Sequence, residues 1–472
     1  MQKIEFDRRL AIWTVLGAFL LSWPLVIFGR PAYLADSAGY YRGGRVSVEF
    51  VEAKIGSVFA HSSTSSEISS NDGATPARRE SRGSRSIIYS ASAYLLRMPG
   101  NSMAMLAVVQ IFTLGLIVAL IAISFGINSR YRFVLIATFL AVATPPAFFA
   151  FYIVPDIFAG LLIGVVTLLA IKRRDLSLSL RFVLVAIGSF AVASHASHPP
   201  LAAALVLAGA GLCWVRGDRG RALATSITWL LSIVLLGSIA TIASGFIGFG
   251  DASLAPRRFP LTLARSIEDG PGRWYLEQNC PKRQFEVCSI FPEGIPKTAN
   301  DFLFGEKGLQ GRATPDQMDI VRAQESEIVI AAAREFPANQ LLKLFQNISL
   351  QFVTVDLNQL LTDKKIIMDQ EGKANFADVD SQHGWILETN EWLSRFTAVF
   401  AILYLIWRYR EFDRDIRAAI FLIVCGVSAN AIICATFSGV AGRYQGRVIW
   451  LLPLLALIVL MRRHGKSEPA KK

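Results

Sequence analysis

Charged residues are scarce in this chain of 472 residues: 18% are Asp, Glu, Lys or Arg, whereas 53% are hydrophobic. Soluble globular domains average about 25% charged residues. The mean hydropathy of +0.43 points the same way. A soluble globular chain is rarely this apolar, so the composition favours a membrane protein.

Motifs of the common soluble enzymes are also missing. The sequence has no Walker nucleotide-binding loop, no Rossmann glycine fingerprint after a strand and no paired-cysteine zinc pattern. It has five cysteines and no visible internal repeat. An ATP-driven pump is therefore not expected, and the cysteine spacing does not indicate a metal site.

The chain does contain a series of apolar runs, several close to the roughly 20 helical residues that cross a hydrocarbon core of about 30 Å. They predict an all-α fold, a polytopic membrane helix bundle of about ten spans whose external loops carry amphipathic helices. The pairs of runs around Pro155 and Pro199 could instead be broken re-entrant segments. The predicted spans are Leu10–Phe28, Met103–Ile127, Phe133–Phe149, Ile157–Ile171, Phe182–Ala196, Leu201–Trp214, Ala222–Ile247, Trp392–Trp407, Ala418–Thr436 and Val448–Met461.

Basic residues beside these runs predict the orientation, because short cytoplasmic loops are enriched in Lys and Arg. Such clusters precede the first run, follow the last one and occur in alternate loops between them. We therefore expect a multi-pass protein of the bacterial inner membrane with both termini in the cytoplasm and the first run retained as a signal anchor. This topology accounts for most of the formal charge of +12, so nucleic acid is not an expected partner. The oligomeric state stays open.

Three parts follow from this topology. They are an N-terminal transmembrane module (1–247) with an external loop (30–100), an external segment (248–390), and C-terminal transmembrane helices with a basic cytoplasmic tail (391–472). Within the loop, His61–Arg85 is rich in Ser and Arg and has almost no apolar residue. We expect a flexible excursion there, with its basic end either solvated or in ionic contact with lipid headgroups.

The external segment carries two cysteines and two rows of apolar residues. Cys280 and Cys288 would face the oxidising side, and we expect them to form a disulfide. The rows have helical spacing and predict amphipathic helices that cover the membrane surface or pack on the spans. They are Val321, Ile328, Ala331 and Ala332, and then Leu341, Leu344, Phe345, Ile348 and Phe352.

Four groups of polar residues stand at the predicted external ends of the spans, where charge is expensive and usually serves a function. Each group also has a structural explanation. The carboxylates could cap helices, the histidines could satisfy a broken helix end, and the arginines could anchor the interface. The groups are Asp36; Asp156; His195 and His198; and Arg443 and Arg447.

This arrangement resembles the GT-C superfamily of multispanning glycosyltransferases, which use polyprenyl-phosphate-linked sugars. In that family the first external loop carries an acidic motif, often near an aromatic residue, to which Asp36–Tyr41 is similar. The common family motif has two acids adjacent or one residue apart, whereas only one is present here. Asp156 resembles the second acid at the next external turn, and Arg443-Tyr444 resembles the basic segment that opens a late helix. The resemblance covers about Leu10–Val215 and Ala418–Met461.

The resemblance implies transfer of a hexosyl or pentosyl group from a polyprenyl-phosphate donor to an envelope glycan, lipid or protein acceptor on the external face. Such transfer needs a base for the acceptor hydroxyl and cations for the departing phosphate. Asp36 would be the base, and Arg443 or Arg447 would hold the phosphate through forked hydrogen bonds. Asp156 would orient the acceptor, or bind a divalent cation if one is used. The other expected substrate-binding residues are Tyr40, Tyr41, Arg42, His195, His198 and Tyr444.

Two other functions stay open. A transporter or flippase of a lipid-linked or anionic substrate would place ionisable residues near the bilayer midplane and would often have two related halves. Here the charges gather at one rim and no repeat is visible. A non-catalytic subunit of a polysaccharide assembly machine is the third candidate.

Overall fold

Helices dominate the described part of the chain, where 75% of the residues are helical and 4% are in strands. The computed structural model describes residues 3–34, 36–60, 85–98, 101–357, 359–360, 362–368, 374–379 and 384–462. Within these ranges five helical segments are long and apolar enough to cross a membrane, which indicates a membrane-embedded protein. They are Ala104–Ser124, His198–Val215, Gly220–Phe249, Arg414–Phe437 and Gly442–Met461.

The N-terminal half consists of helices whose starts are set by capping residues and prolines. Asp7 accepts a hydrogen bond from the backbone N–H of Leu10 (2.8 Å) and so caps the first helix. Its elements are α1 Arg8–Leu21, α2 Trp23–Phe28, α3 Ser37–Ala60, α4 Ile87–Leu95, α5 Ala104–Ser124, α6 Arg130–Ala143, α7 Pro146–Phe151, α8 Ile157–Lys172, α9 Leu178–Ser194, α10 His198–Val215 and α11 Gly220–Phe249.

The C-terminal half contains short helices, a hairpin and a second set of long helices. Its elements are α12 Leu261–Asp269, α13 Pro271–Asn279, α14 Glu286–Ile290, α15 Ala299–Leu303, α16 Leu309–Arg312, α17 Pro315–Glu335, α18 Pro337–Val353, β1 Lys364–Met368, β2 Ala374–Asp378, α19 Gly384–Trp407, a 3₁₀ turn at Tyr409–Glu411, α20 Arg414–Phe437, α21 Gly442–Ile449 and α22 Leu451–Met461.

Each of the ten predicted runs is helical, but only half reach the length and apolarity of a span. Pro24 lies in the first turn of α2, and Pro146 begins α7, so two runs are divided into shorter helices. Glu388 and Glu391 make the first half of α19 polar. The count of about ten spans stays a prediction.

The basic clusters predicted to lie in the cytoplasm meet at one end of the bundle. Lys172 and Arg216 both bind Asp415, at 2.5 and 2.6 Å. Arg9 donates to the carbonyl of Ile127 (2.6 Å). Because these residues come from separate loops, the contacts support the alternation on which the predicted orientation depends.

Lipid-facing surface is recognisable from exposed aromatic residues at both ends of the bundle. Trp385 and Trp392 are exposed near the start of α19, and Trp214 and Trp407 are exposed near the basic clusters. Tryptophan is enriched at membrane–water interfaces. Exposed tryptophans at both ends are the pattern expected for a bundle that spans a bilayer.

The external segment has a core of its own. Residues between Phe259 and Ala332 form a hydrophobic cluster separate from that of the bundle. Cys280 and Cys288 are joined by a disulfide within this part. The later residues Val355 and Leu357 pack in the core of the bundle instead.

The short hairpin β1–β2 is an addition to the mostly helical fold. The two strands pair antiparallel, with Ile366 opposite Phe376. Ile366 is buried in the core of the bundle, and Phe376 lies against Tyr33. This tertiary contact stabilises strands that are too short to be recognised from their own five-residue patterns.

Candidate functional site

All four predicted polar groups lie at the end of the bundle opposite the basic clusters. Asp36 directly precedes α3, and Asp156 directly precedes α8. His195 lies between α9 and α10, and α21 carries Arg443 and Arg447. The other ends of α8, α9, α10 and α22 lie among the basic clusters, whereas α3 ends at Ala60.

Hydrogen bonds connect the loop that carries Asp36 to the loop that carries Asp156. Ser37 donates from its hydroxyl to the carbonyl of Ile153 (2.8 Å), and Ile153 donates its N–H to the carbonyl of Ala32 (3.0 Å). Ser37 is fully buried. These bonds join residues more than 100 positions apart and set the separation of Asp36 from Asp156.

Arg443 lies between the two carboxylates. Its Nη1 is 3.6 Å from Oδ2 of Asp156, and its Nη2 is 3.9 Å from Oδ2 of Asp36. The other oxygen of Asp36, Oδ1, accepts a hydrogen bond from Arg85 (2.5 Å). With Arg447, three guanidinium groups face two carboxylates, so the cluster has an excess of positive charge and favours an anionic ligand.

Arg447 is completely buried and makes the densest contacts of the site. It donates to Oδ1 of Asp156 (2.7 Å), to Oδ1 of Asn430 (2.8 Å) and to Oγ of Ser197 (3.1 Å). Its own carbonyl accepts from Nε1 of Trp450 (2.9 Å). A buried guanidinium with so many partners is fixed in place.

Gly160 permits this close packing. A Cβ at that position would come within 2.7 Å of the Arg447 carbonyl and 2.8 Å of the Trp450 ring nitrogen. The absence of a side chain therefore lets α21 and α22 approach the first turn of α8.

Asp156 is buried together with its partners. Burial raises the pKa of its carboxyl, but Arg443 and Arg447 outweigh this and hold the pKa below its ordinary value. Asp156 is ionised at neutral pH and does not line the cavity described below. Both of its oxygens face these two arginines, and its expected role in orienting an acceptor stays a prediction.

The two histidines have different surroundings. Nδ1 of His195 accepts from the backbone N–H of Ser197 (3.2 Å), so the neutral ring carries its proton on Nε2. Burial and the neighbouring His198 and Arg447 hold the pKa of His195 well below its ordinary value. His195 lines the cavity. His198 is fully buried, donates from Nδ1 to the carbonyl of Ala191 (2.6 Å), and is not part of the lining.

The tyrosines expected at the site separate into two groups. Tyr40 lines the cavity and stacks edge-on against Tyr89, and burial raises its pKa, so its hydroxyl stays protonated. Tyr444 also lines the cavity, and its hydroxyl lies 2.9 Å from that of Ser438. Tyr41 donates to Asn101 (2.8 Å) outside the cavity. Arg42 is exposed on α3 and is likewise not part of the lining.

A cavity of about 700 Å³ opens beside this cluster. Asp36, Arg85 and Arg443 form its charged end. Apolar side chains from α4, α9 and α20 form a second wall. They are Ile87, Val192, Ala193, Ile433 and Phe437. The cavity therefore joins an anion-binding end to an apolar wall between helices.

The external segment supplies the roof of the cavity. Arg258, Phe259 and Glu325 all line it, and the guanidinium of Arg85 stands 5.8 Å from the Phe259 ring centroid. Glu325 is buried and accepts hydrogen bonds from Arg258 (2.6 Å) and from the N–H of Thr262 (2.9 Å). These bonds fix the orientation of Arg258.

Arg85 was not predicted as a site residue, because it ends a stretch that has the composition of a solvated charge run. A local signal was present. Ser86 caps α4 by accepting from the N–H of Tyr89 (3.1 Å), which places Arg85 directly at a helix start. Asn430 was missed as well, although an amide within an apolar run normally has a buried partner.

No protein-family model matches the chain, and no curated protein or solved structure matches it. Within the described residues no three His, Cys, Asp or Glu side chains group as they would around a metal ion. The function is therefore argued from the geometry of this cavity.

Proposed function

We propose that the chain is a membrane glycosyltransferase that moves a sugar from a polyprenyl-phosphate donor to an acceptor hydroxyl on the external face. The observation that carries the proposal is the cavity in which a carboxylate and two arginines adjoin an apolar wall. A lipid phosphate has the same two-part chemistry, an anionic head and a hydrocarbon tail. The acceptor would be an envelope glycan, lipid or protein.

The arginines suit the phosphate of the donor. Guanidinium groups bind phosphate oxygens through forked, charge-assisted hydrogen bonds. Arg443 and Arg85 face the cavity from two sides, and Arg258 faces it from the roof. As the bond from the anomeric carbon to the phosphate oxygen breaks, these cations would stabilise the negative charge on the leaving phosphate.

Asp36 is the carboxylate that can act as the base. Its side chain is 22% exposed, compared with 3% for Asp156. In this proposal it takes the proton of the acceptor hydroxyl while that oxygen bonds to the anomeric carbon. Tyr40 and His195, both uncharged at neutral pH, would donate hydrogen bonds to sugar hydroxyls beside it.

A divalent cation does not fit these residues. Both oxygens of Asp156 face Arg443 or Arg447, and both oxygens of Asp36 face Arg443 or Arg85. A cation placed here would meet three guanidinium groups within the same cluster. The proposed reaction therefore has no step that depends on a metal ion.

The proposal includes the finer topology. The chain would cross the bacterial inner membrane about ten times with both termini in the cytoplasm, so that the cavity opens on the external side. Support comes from the basic clusters that meet at the opposite end of the bundle. The donor's lipid tail would leave the cavity along the apolar wall.

Asp36→Asn is the direct test. It keeps size and polarity but removes the basic carboxylate, so sugar transfer in reconstituted membranes should fall by roughly 10²–10⁴-fold, with donor binding retained. Glu49→Gln on the exposed face of α3 is the matched control and should transfer like the wild type. Undiminished transfer by Asp36→Asn contradicts the role of Asp36. Movement of the lipid-linked sugar across the membrane without its transfer to an acceptor, in the wild type, favours a transporter.

A further inference from the structure

Helix α18 has its apolar side turned away from the protein. Leu341, Leu342 and Phe345 are 56%, 56% and 66% exposed, and Val353 at its end is 73% exposed. Monomeric proteins in water rarely expose a contiguous apolar surface of this kind. The first of the two predicted amphipathic helices, α17, has the ordinary arrangement, since its apolar row is buried in the core of the external segment.

The two buried residues of α18, Asn347 and Gln351, are both polar, whereas Asn339, Gln346 and Ser349 are exposed. Asn347 is buried and donates to both carboxylate oxygens of Asp269 (3.0 and 3.1 Å). Gln351 is buried and forms two hydrogen bonds with the backbone of Ala441, one to its carbonyl (2.9 Å) and one from its N–H (3.0 Å). Buried polar residues beside exposed large apolar residues are the reverse of the arrangement in a water-soluble helix.

A neighbouring helix also has exposed apolar residues. α18 packs against α20, where Ile432 and Phe437 are exposed. α20 is one of the candidate membrane spans. Lys343 is the single charged residue of α18 and is exposed. A lysine beside an apolar face can extend its ammonium group to lipid headgroups.

We propose that α18 lies in the bilayer at the cavity end of the bundle, with its apolar face against lipid acyl chains. The exposed large apolar residues, the near absence of charge and the contact with the candidate span α20 favour lipid as the occupant of this face. Through Gln351 this helix holds Ala441, the residue before α21, which carries Arg443 and Arg447. The inference does not depend on the proposed function.

Spin-label accessibility on the full chain in lipid nanodiscs tests the proposal. Phe345→Cys and Leu342→Cys are labelled with a nitroxide, and collisions with oxygen and with a neutral nickel chelate are measured. Leu235→Cys, at an exposed apolar position of the candidate span α11, is the lipid reference. Lys307→Cys, exposed on the external segment, is the water reference. The wild type treated with the same label gives the background from native cysteines.

We expect both α18 positions to give the high ratio of oxygen to nickel collisions found at Leu235, and Lys307 to give a low ratio. A low ratio at Phe345 and Leu342 means that α18 faces water and overturns the proposal. Low collision rates with both agents mean that a protein surface, such as a second copy of the chain, covers the helix, and this also overturns it. Agreement of the two positions guards against local misfolding in one variant.

Discussion

Arg447→Met should destabilise the protein strongly without changing side-chain length much. Arg447 is 0% exposed and donates to Asp156, Asn430 and Ser197. Removing one partner of a buried ion pair typically costs about 3–5 kcal/mol, because the other charge is left uncompensated. At about 2–4 °C per kcal/mol for chains of 150–250 residues, and less for longer ones, Tm should fall by several degrees.

A double-mutant cycle separates the interaction energy of the Arg447–Asp156 ion pair from the contribution of side-chain packing. Asp156→Asn should also lower the free energy of unfolding, since it leaves Arg447 without its charged partner. The double variant Arg447→Met/Asp156→Asn removes both charges, so its loss should be well below the sum of the two single losses. Tm is measured by intrinsic fluorescence in nanodiscs. The matched control is Arg462→Met, whose partner Asp413 is exposed, and it should change stability by about 0–1 kcal/mol.

Additive losses in the double variant contradict the proposed coupling, because they mean that each residue stabilises the fold through separate contacts. A small loss for Arg447→Met alone also contradicts it, since the buried carboxylate of Asp156 then has another partner of equal strength. Arg443, at 3.6 Å, is the candidate for such a partner.

Two further predictions concern pH and the disulfide. The pKa of His195 is held well below its ordinary value in the folded chain. Below about pH 6.5 the unfolded chain therefore takes up a proton that the folded chain does not, and the free energy of unfolding falls by about 1.4 kcal/mol per pH unit. Stability should therefore fall as the pH is lowered from 7.5 to 5.5, and His195→Gln should reduce that fall in Tm; an equal fall in both proteins contradicts the assignment. Cys280→Ser opens a loop with a sequence separation of only 8 and should lower the free energy of unfolding by about 1–3 kcal/mol. Mass spectrometry that finds both thiols free in the wild type prepared without reductant refutes that bond.

The positions of the long helices were predictable because apolar runs determine where a helix can be buried or meet lipid. The hairpin β1–β2 was not, since a five-residue strand with Lys at its start has no distinctive pattern. Its stability depends on the burial of Ile366 and on the contact of Phe376 with Tyr33, which are tertiary facts. Sequence periodicity identified α18 as amphipathic, but it could not determine that Asn347 and Gln351 are its buried residues.

The sequence was enough to predict which helix ends meet at the site. It was not enough to predict the bonds between their side chains. Alternating basic clusters assign each loop to one face of the membrane, so Asp36, Asp156 and Arg443 could be grouped without a structure. The bonds that define their chemistry join residues 49 positions apart for Arg85 and Asp36, and 291 for Arg447 and Asp156. No local pattern specifies such pairs.

The division among Tyr40, Tyr41 and Arg42 follows from helix geometry. Asp36 directly precedes α3, and residues four apart lie on the same side of a helix, so Tyr40 faces the cavity beside Asp36. Each further residue turns by about 100°, which carries Tyr41 toward Asn101 and Arg42 to the exposed surface. An acid followed by aromatic residues therefore does not by itself identify a site. When the acid directly precedes a helix, only the aromatic residue four positions later lies on the same side of that helix.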